Sequence, residues 1–140
     1  VSSVTTLYTP EVLALATQLA QHRLDDSLAL RGSARSASCG SSLTVGLSLD
    51  DEGRISRIGL AAQACAIGQA SAALMAAAAL GKSVQDFTQA EQAIALWLTE
   101  SGPMPTWPGL DLLAPAKQFP ARHGAILLGW RAVGAAFAAA

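Results

Sequence analysis

The feature that most constrains this chain is a change of hydrophobic period around one cysteine. Leu43, Val45, Leu47 and Leu49 alternate with Thr44, Gly46 and Ser48, the period of two that puts one face of a strand in a core. Asp50-Asp51-Glu52-Gly53 follows with turn chemistry, its glycine free to take positive φ. A second run, Arg54 to Ala62, carries Ile55, Ile58 and Leu60. Its apolar phase slips by one between Ile55 and Ile58, which predicts a bulge or a late start to the strand. From Cys65 the period becomes helical, with Ile67, Ala70, Ser71, Leu74, Met75 and Ala78 on one face. An antiparallel hairpin that runs straight into a helix must have one sheet face covered by helices.

The flanking segments supply those helices. Pro10 opens a helical pattern through Val12, Leu13, Leu15, Ala16 and Leu19, ending near His22. There His22 would complement the carbonyl end of the helix. Arg23 to Ala37 reads as loop, with a short first strand expected over Gly32 to Ser38. Gly81 is placed to stop the helix that Cys65 begins. Ser83 and Asp86 have capping-box spacing for another helix, carrying Phe87, Ala90, Ile94, Trp97 and Leu98 and ended by Ser101-Gly102-Pro103. Met104 to Gln118 contains three prolines and reads as a connection with one short turn at Leu110 to Leu113. Pro120 starts a last helix through Leu127, Leu128, Trp130, Val133 and Phe137. The expected fold is α+β: about three antiparallel strands, an N-terminal helix and three C-terminal helices, in one domain over residues 1–140.

Composition narrows the function classes. Residues are 51% hydrophobic and 14% charged, with aromatics at 5%, so alanine and branched aliphatics must fill the core. A net charge of −1 gives no basic surface for nucleic acid or an anionic membrane. The apolar run Ala76 to Leu80 ends at Lys82 and Asp86, far short of the ~20 residues of a membrane span. Val1 to Tyr8 has no basic region leading into an apolar stretch, which argues against a signal peptide. Two cysteines are too few for a disulfide-built secreted domain. The expectation is a cytoplasmic protein whose cysteines are thiols or ligands.

Three side chains at element ends stand out. Cys39 precedes the first clear strand, Cys65 sits where strand passes into helix, and His123 lies in the first turn of the last helix beside Arg122. Backbone amides at a helix start favour a thiolate, the better nucleophile and metal ligand. Free cysteine is equally at home as a small buried hydrophobe, and tight zinc spacings such as Cys-x2-Cys are absent. A lone histidine or arginine at a helix start is commonly a solvated side chain, and Trp97, Trp107 and Trp130 read as core or loop anchors. The residues by themselves therefore leave a thiolate site and a plain core role both open.

Taken in order, these residues resemble the NifU/IscU/SufU family of iron–sulfur cluster assembly scaffolds from about Tyr8 to Phe137. Cys39-Gly40-Ser41 stands where the family has Cys-Gly-Asp, and Asp51-Glu52-Gly53-Arg54-Ile55 matches its hairpin. Ala64-Cys65-Ala66-Ile67-Gly68-Gln69-Ala70-Ser71 is similar to the family's Gly-Cys-Ala-Ile-x-x-Ala-Ser, and Gly81-Lys82-Ser83 to its Gly-Lys-Ser. Phe119-Pro120-Ala121-Arg122 with Leu128-Gly129-Trp130 is similar to the SufU-type run into the last helix. The departures fall on ligand positions. Ser41, a poor ligand, replaces the aspartate, and the third cysteine aligns with Ala125. Cys-Gly-Ser together with Ala-Arg-His resembles a divergent NifU-like branch.

The resemblance implies binding of iron or a nascent cluster by Cys39 and Cys65, with His123 as a candidate third ligand and Ser41 as a weak one. It implies a cysteine desulfurase as sulfur donor and iron–sulfur proteins as clients. Such a protein is a carrier rather than an enzyme, and a cluster shared by Cys39 and Cys65 of two chains would make it a homodimer. One alternative is a zinc-dependent, SufU-like sulfur acceptor in which Cys65 carries the persulfide. Another is a relative that has lost its metal and serves as an interaction or regulatory module.

Overall fold

The computed structural model describes residues 7–37, 40–99 and 102–140. Three strands, β1 (Leu30–Arg35), β2 (Ser42–Leu49) and β3 (Ile55–Gln63), form one antiparallel sheet in the order β1-β2-β3. The described residues also form four α-helices, α1 (Pro10–Thr17), α2 (Ala66–Ala77), α3 (Val84–Leu98) and α4 (Pro120–Ala138), with 3-10 turns at Gln18–Gln21 and Leu110–Gln118. The α+β expectation holds in element order and type.

The β2–β3 turn is built by Asp50. Its Oδ1 accepts the amides of Glu52 and Arg54 at 2.9 and 3.0 Å, and Gly53 takes φ 77. The register slips between Ser48 and Leu49, because Ser48 pairs with Arg57 but Leu49 with Ile55. Ser56 is thus the extra residue of a bulge, the physical origin of the slipped apolar phase in that run.

Leu43, Val45 and Leu47 are buried on the face that α4 covers. Gly32 permits the contact: a Cβ there would lie 2.2 Å from the Ala136 nitrogen and 2.3 Å from the Ala132 carbonyl oxygen. On the opposite face Gly46 and Gly59 pair, and Leu28 drops into the slot they leave, 2% exposed. The segment between α1 and β1 is therefore a strap across the sheet, pinned by the Arg57–Asp25 ion pair at 3.0 Å. The outer edge of β3 is also occupied. Leu60 donates to the His22 carbonyl at 2.7 Å, Ile55 donates to Lys82, and Gly81 donates to Ile55. Pairing that edge removes a template for wrong strand addition.

Several boundaries differ from the sequence expectation. β1 runs from Leu30 to Arg35 rather than from Gly32, and Ser38 lies outside the described residues. Its residues are small, charged or glycine, so they carry little strand signal, and pairing with β2 makes the strand. α2 ends at Ala77, four residues before Gly81, because the following turn must bring Gly81 and Lys82 back to β3. α3 ends at Leu98; Ser101 lies outside the described residues. The expected short turn at Leu110 to Leu113 is a longer 3-10 helix reaching Gln118, with Leu110, Leu113 and Ala116 buried. Pro115 lies inside it.

Candidate functional site: the strand ends and helix starts around Cys65

Register decides what meets at one end of the sheet. Arg35 pairs with Ser42, and Ser42 pairs with Gln63. The β1–β2 turn and the exit of β3 into α2 are therefore neighbours. That turn is closed by Ser36 donating to the Ser41 carbonyl at 2.8 Å and by Gly40 donating to Ser36 at 2.9 Å, with Gly40 at φ 70. Cys39 belongs to it by sequence but lies outside the described residues.

Cys65 is the N-cap residue of α2, in extended backbone geometry and half-buried. Its thiol makes no capping hydrogen bond, so the sulfur is not committed to its own helix. Gln69 braces the corner, its amide donating to the Cys65 carbonyl at 2.9 Å and its Nε2 to the Ala64 carbonyl at 2.8 Å.

α4 reaches the same place because it runs beside α2 in the same direction. A Cβ at Gly68 would lie 3.4 Å from that of Ala125, Ser71 Oγ donates to the Ile126 carbonyl at 2.7 Å, and Met75 packs against Gly129. Two helix N-termini, each with a partial positive charge, therefore sit at the strand-end side of the molecule. His123, in the first turn of α4, is half-buried, with Nε2 2.9 Å from the Lys117 carbonyl oxygen.

The departures from the family motif have structural counterparts. Ser41 is 3% exposed and its carbonyl closes the turn. Ala125 is 1% exposed and faces Gly68. Both positions are thus packed as structure. Among the described residues no group of three His, Cys, Asp or Glu side chains is placed to hold a metal ion. The segments 27–49, 53–85 and 112–140, which build this end, contain no Asp or Glu at all. The donors present are thiol and imidazole, a set that fits zinc or iron–sulfur chemistry and not a hard oxygen-seeking cation. Even with Cys39 they number three, fewer than a closed site takes.

Sequence reasoning missed the strap over Gly46 and Gly59 and the groove between α3 and residues 102–108. That groove has a volume of about 520 Å³ and is walled by Leu96, Met104 and Trp107. Neither has periodicity to announce it; the Gly46–Gly59 pairing that makes the strap's slot exists only once β2 and β3 are in register.

Comparison with known proteins bears on the family and the fold. The family model for the NifU-like N terminal domain matches residues 8–106. The chain belongs to that family, the scaffold family its motifs resemble. Among solved structures it is similar to a nitrogen-fixing NifU-like protein (N-terminal) from Brucella abortus, at 28% identity and a TM-score of 0.85, covering 97% of this chain and 95% of that one. A putative iron–sulfur cluster assembly scaffold protein for the SUF system from Fervidobacterium Islandicum AW-1 shares the fold at 19% identity and a TM-score of 0.80, over 91% and 94% of the two chains. A hypothetical protein shares it at 22% identity and 0.67, over 91% and 97%. No curated protein sequence matches. The family match ends before α4, so His123 and Ala125 lie outside it. No helix among the described residues is long and apolar enough to cross a membrane.

Proposed function

We propose that this chain acts in iron–sulfur cluster assembly, receiving iron or a nascent cluster as cargo at Cys39 and Cys65 and passing it to client proteins. The observation that carries the reading is the placement of an uncapped, half-buried thiol at a helix start, beside the β1–β2 turn and the first turn of α4, in a member of the NifU-like family. His123 supplies a third donor; Ser41, buried in its turn, is at most a weak one. With three donors the site keeps an open position, which suits a cargo that must leave. The reading takes residues 1–140 as one scaffold domain working in the cytoplasm, with a cysteine desulfurase upstream.

The test is anaerobic reconstitution with iron, sulfide and a visible spectrum, beside Cys39→Ser and Cys65→Ser. Iron and sulfide that bind to the wild type and are lost in both variants are the expected result. A protein that stays colourless and metal-free after reconstitution sinks the reading and favours an interaction module. Light scattering of the loaded protein separates a monomeric site from one shared by two chains.

The free Cys65 thiol also favours a second reading, a zinc-dependent sulfur acceptor. There the Cys65 thiolate attacks the outer sulfur of the desulfurase persulfide. The S–S bond breaks, the desulfurase thiolate leaves, and Cys65 carries the new persulfide with no net redox change. Mass spectrometry after incubation with a desulfurase and cysteine should then show one added sulfur on Cys65. Its absence with several desulfurases would count against this route.

A further inference from the structure

The two edges of the sheet are treated differently. The β3 edge is occupied by His22, Gly81 and Lys82, whereas the β1 edge is open. Ser36 donates to the Ser41 carbonyl at 2.8 Å, which fixes the alternation of the antiparallel ladder. Leu30, Gly32 and Ala34 therefore exchange hydrogen bonds with β2, and the amides and carbonyls of Arg31, Ser33 and Arg35 point away from it. None of those outward backbone groups has a hydrogen-bond partner among the described residues. The side chains alternate as well. Leu30 and Ala34 are only half-buried on the face where α4 crosses Gly32, and Ala135 of α4, against Gly32, is itself exposed. Arg31, Ser33 and Arg35 form an exposed row on the other face.

Charge selects the occupant. Arg31 is held in place, its Nε donating to the Leu28 carbonyl at 2.8 Å and its Nη2 to the Asp25 carbonyl at 2.7 Å, while the Asp25 carboxylate is spent on Arg57. Arg35 has no ion-pair partner among the described residues. A second copy paired along the whole strand would set Arg31 opposite Arg35, and like charges directly opposite are destabilising. We propose that the β1 edge is a docking site for an extended segment of a partner protein, acidic at positions i and i+4, with a hydroxyl residue between them and apolar residues at i+1 and i+3. Added antiparallel, that segment sets its carboxylates opposite Arg35 and Arg31, its hydroxyl opposite Ser33, and its apolar side chains beside Ala34 and Gly32, against Ala135. Backbone hydrogen bonds supply the affinity and the alternating side chains the specificity. The site is independent of the thiol chemistry, but Arg35 is the last residue of β1 before the turn that neighbours the start of α2. The docked strand therefore ends at that side of the molecule.

The test uses the whole reduced chain and a capped peptide, Gly-Glu-Val-Thr-Val-Glu-Gly, beside a control with lysine for both glutamates. In 1H–15N spectra the acidic peptide should shift the amides of Arg31, Ser33 and Arg35 and slow their exchange with solvent, and the lysine peptide should not. Ser33→Pro deletes one outward N–H at an edge position where proline is tolerated. It should keep the fold, read by circular dichroism and melting, and lose about tenfold in affinity, the worth of one hydrogen bond. Arg35→Glu leaves every backbone group in place and should weaken the acidic peptide while strengthening the lysine one. No shift at a peptide concentration of about 1 mM, equal binding of the two peptides, or shifts confined to residues outside β1 would each overturn the proposal. Shifts of the β1 amides that follow protein concentration without peptide overturn it in favour of a second copy.

Discussion

Gly68 shows how single residues hold the candidate site together. It lies one turn into α2, where a Cβ would come within 2.9 Å of the Ala64 Cβ and 3.4 Å of the Ala125 Cβ. Replacing it by alanine gains helix propensity of about 1 kcal/mol but crowds the α2–α4 contact, for which overpacking costs about 1–3 kcal/mol. We expect Gly68→Ala to be net destabilising by about 1 kcal/mol in urea unfolding. A neutral or stabilised variant would show that the helices can part there. Across the gap Ala125 is buried with its methyl group against Gly68. Cys65 and His123 were legible as candidates because each falls at a helix start. The packing of Ser71 and Ala125 between α2 and α4 was not, because they look like any small residue in a helix.

At the scale of elements, α3 is the best specified. Ser83 Oγ accepts the Asp86 amide at 3.2 Å and Asp86 accepts the Ser83 amide at 2.8 Å, the reciprocal pair its spacing foretold. Ser83→Ala should cost about 1 kcal/mol, read in chemical denaturation. The hydrogen bonds from Ser83 hold the Asp86 carboxyl below its ordinary value of 3.8, with Arg54 and Lys82 adding attraction. A depressed carboxyl contributes stability that is fully present above the unfolded value and is lost as pH falls through the folded one. Stability should therefore decline below about pH 4, in part through Asp86, and Asp86→Asn should show a shallower decline; equal slopes would remove Asp86 from the cause. Other elements are specified from outside. β1 exists because β2 pairs with it and because Gly32 admits α4, and the end of α2 is drawn by the β3 edge.

Across the whole molecule, Trp107 ties the helices to the loop that feeds the site. Its ring meets Phe87 and Trp130 edge-on at centroid distances of 5.3 Å each, and its Nε1 donates to the Leu74 carbonyl at 3.0 Å. Trp107→Ala should cost about 3–5 kcal/mol and loosen residues 102–118, measured by thermal melting and hydrogen exchange. A loss below about 1 kcal/mol would place the anchor elsewhere. The sequence by itself determined the α+β element order, the hairpin with its bulge, the α3 cap and the family, because each is written in local period, turn chemistry or ordered motifs. Only the tertiary structure decided that the β1–β2 turn, Cys65 and the start of α4 share one end, that Leu28 closes the far face, and that the His123 ring meets the Lys117 carbonyl. Those outcomes depend on strand register and parallel helix packing between segments far apart in the chain, and no local pattern of side chains encodes such pairings.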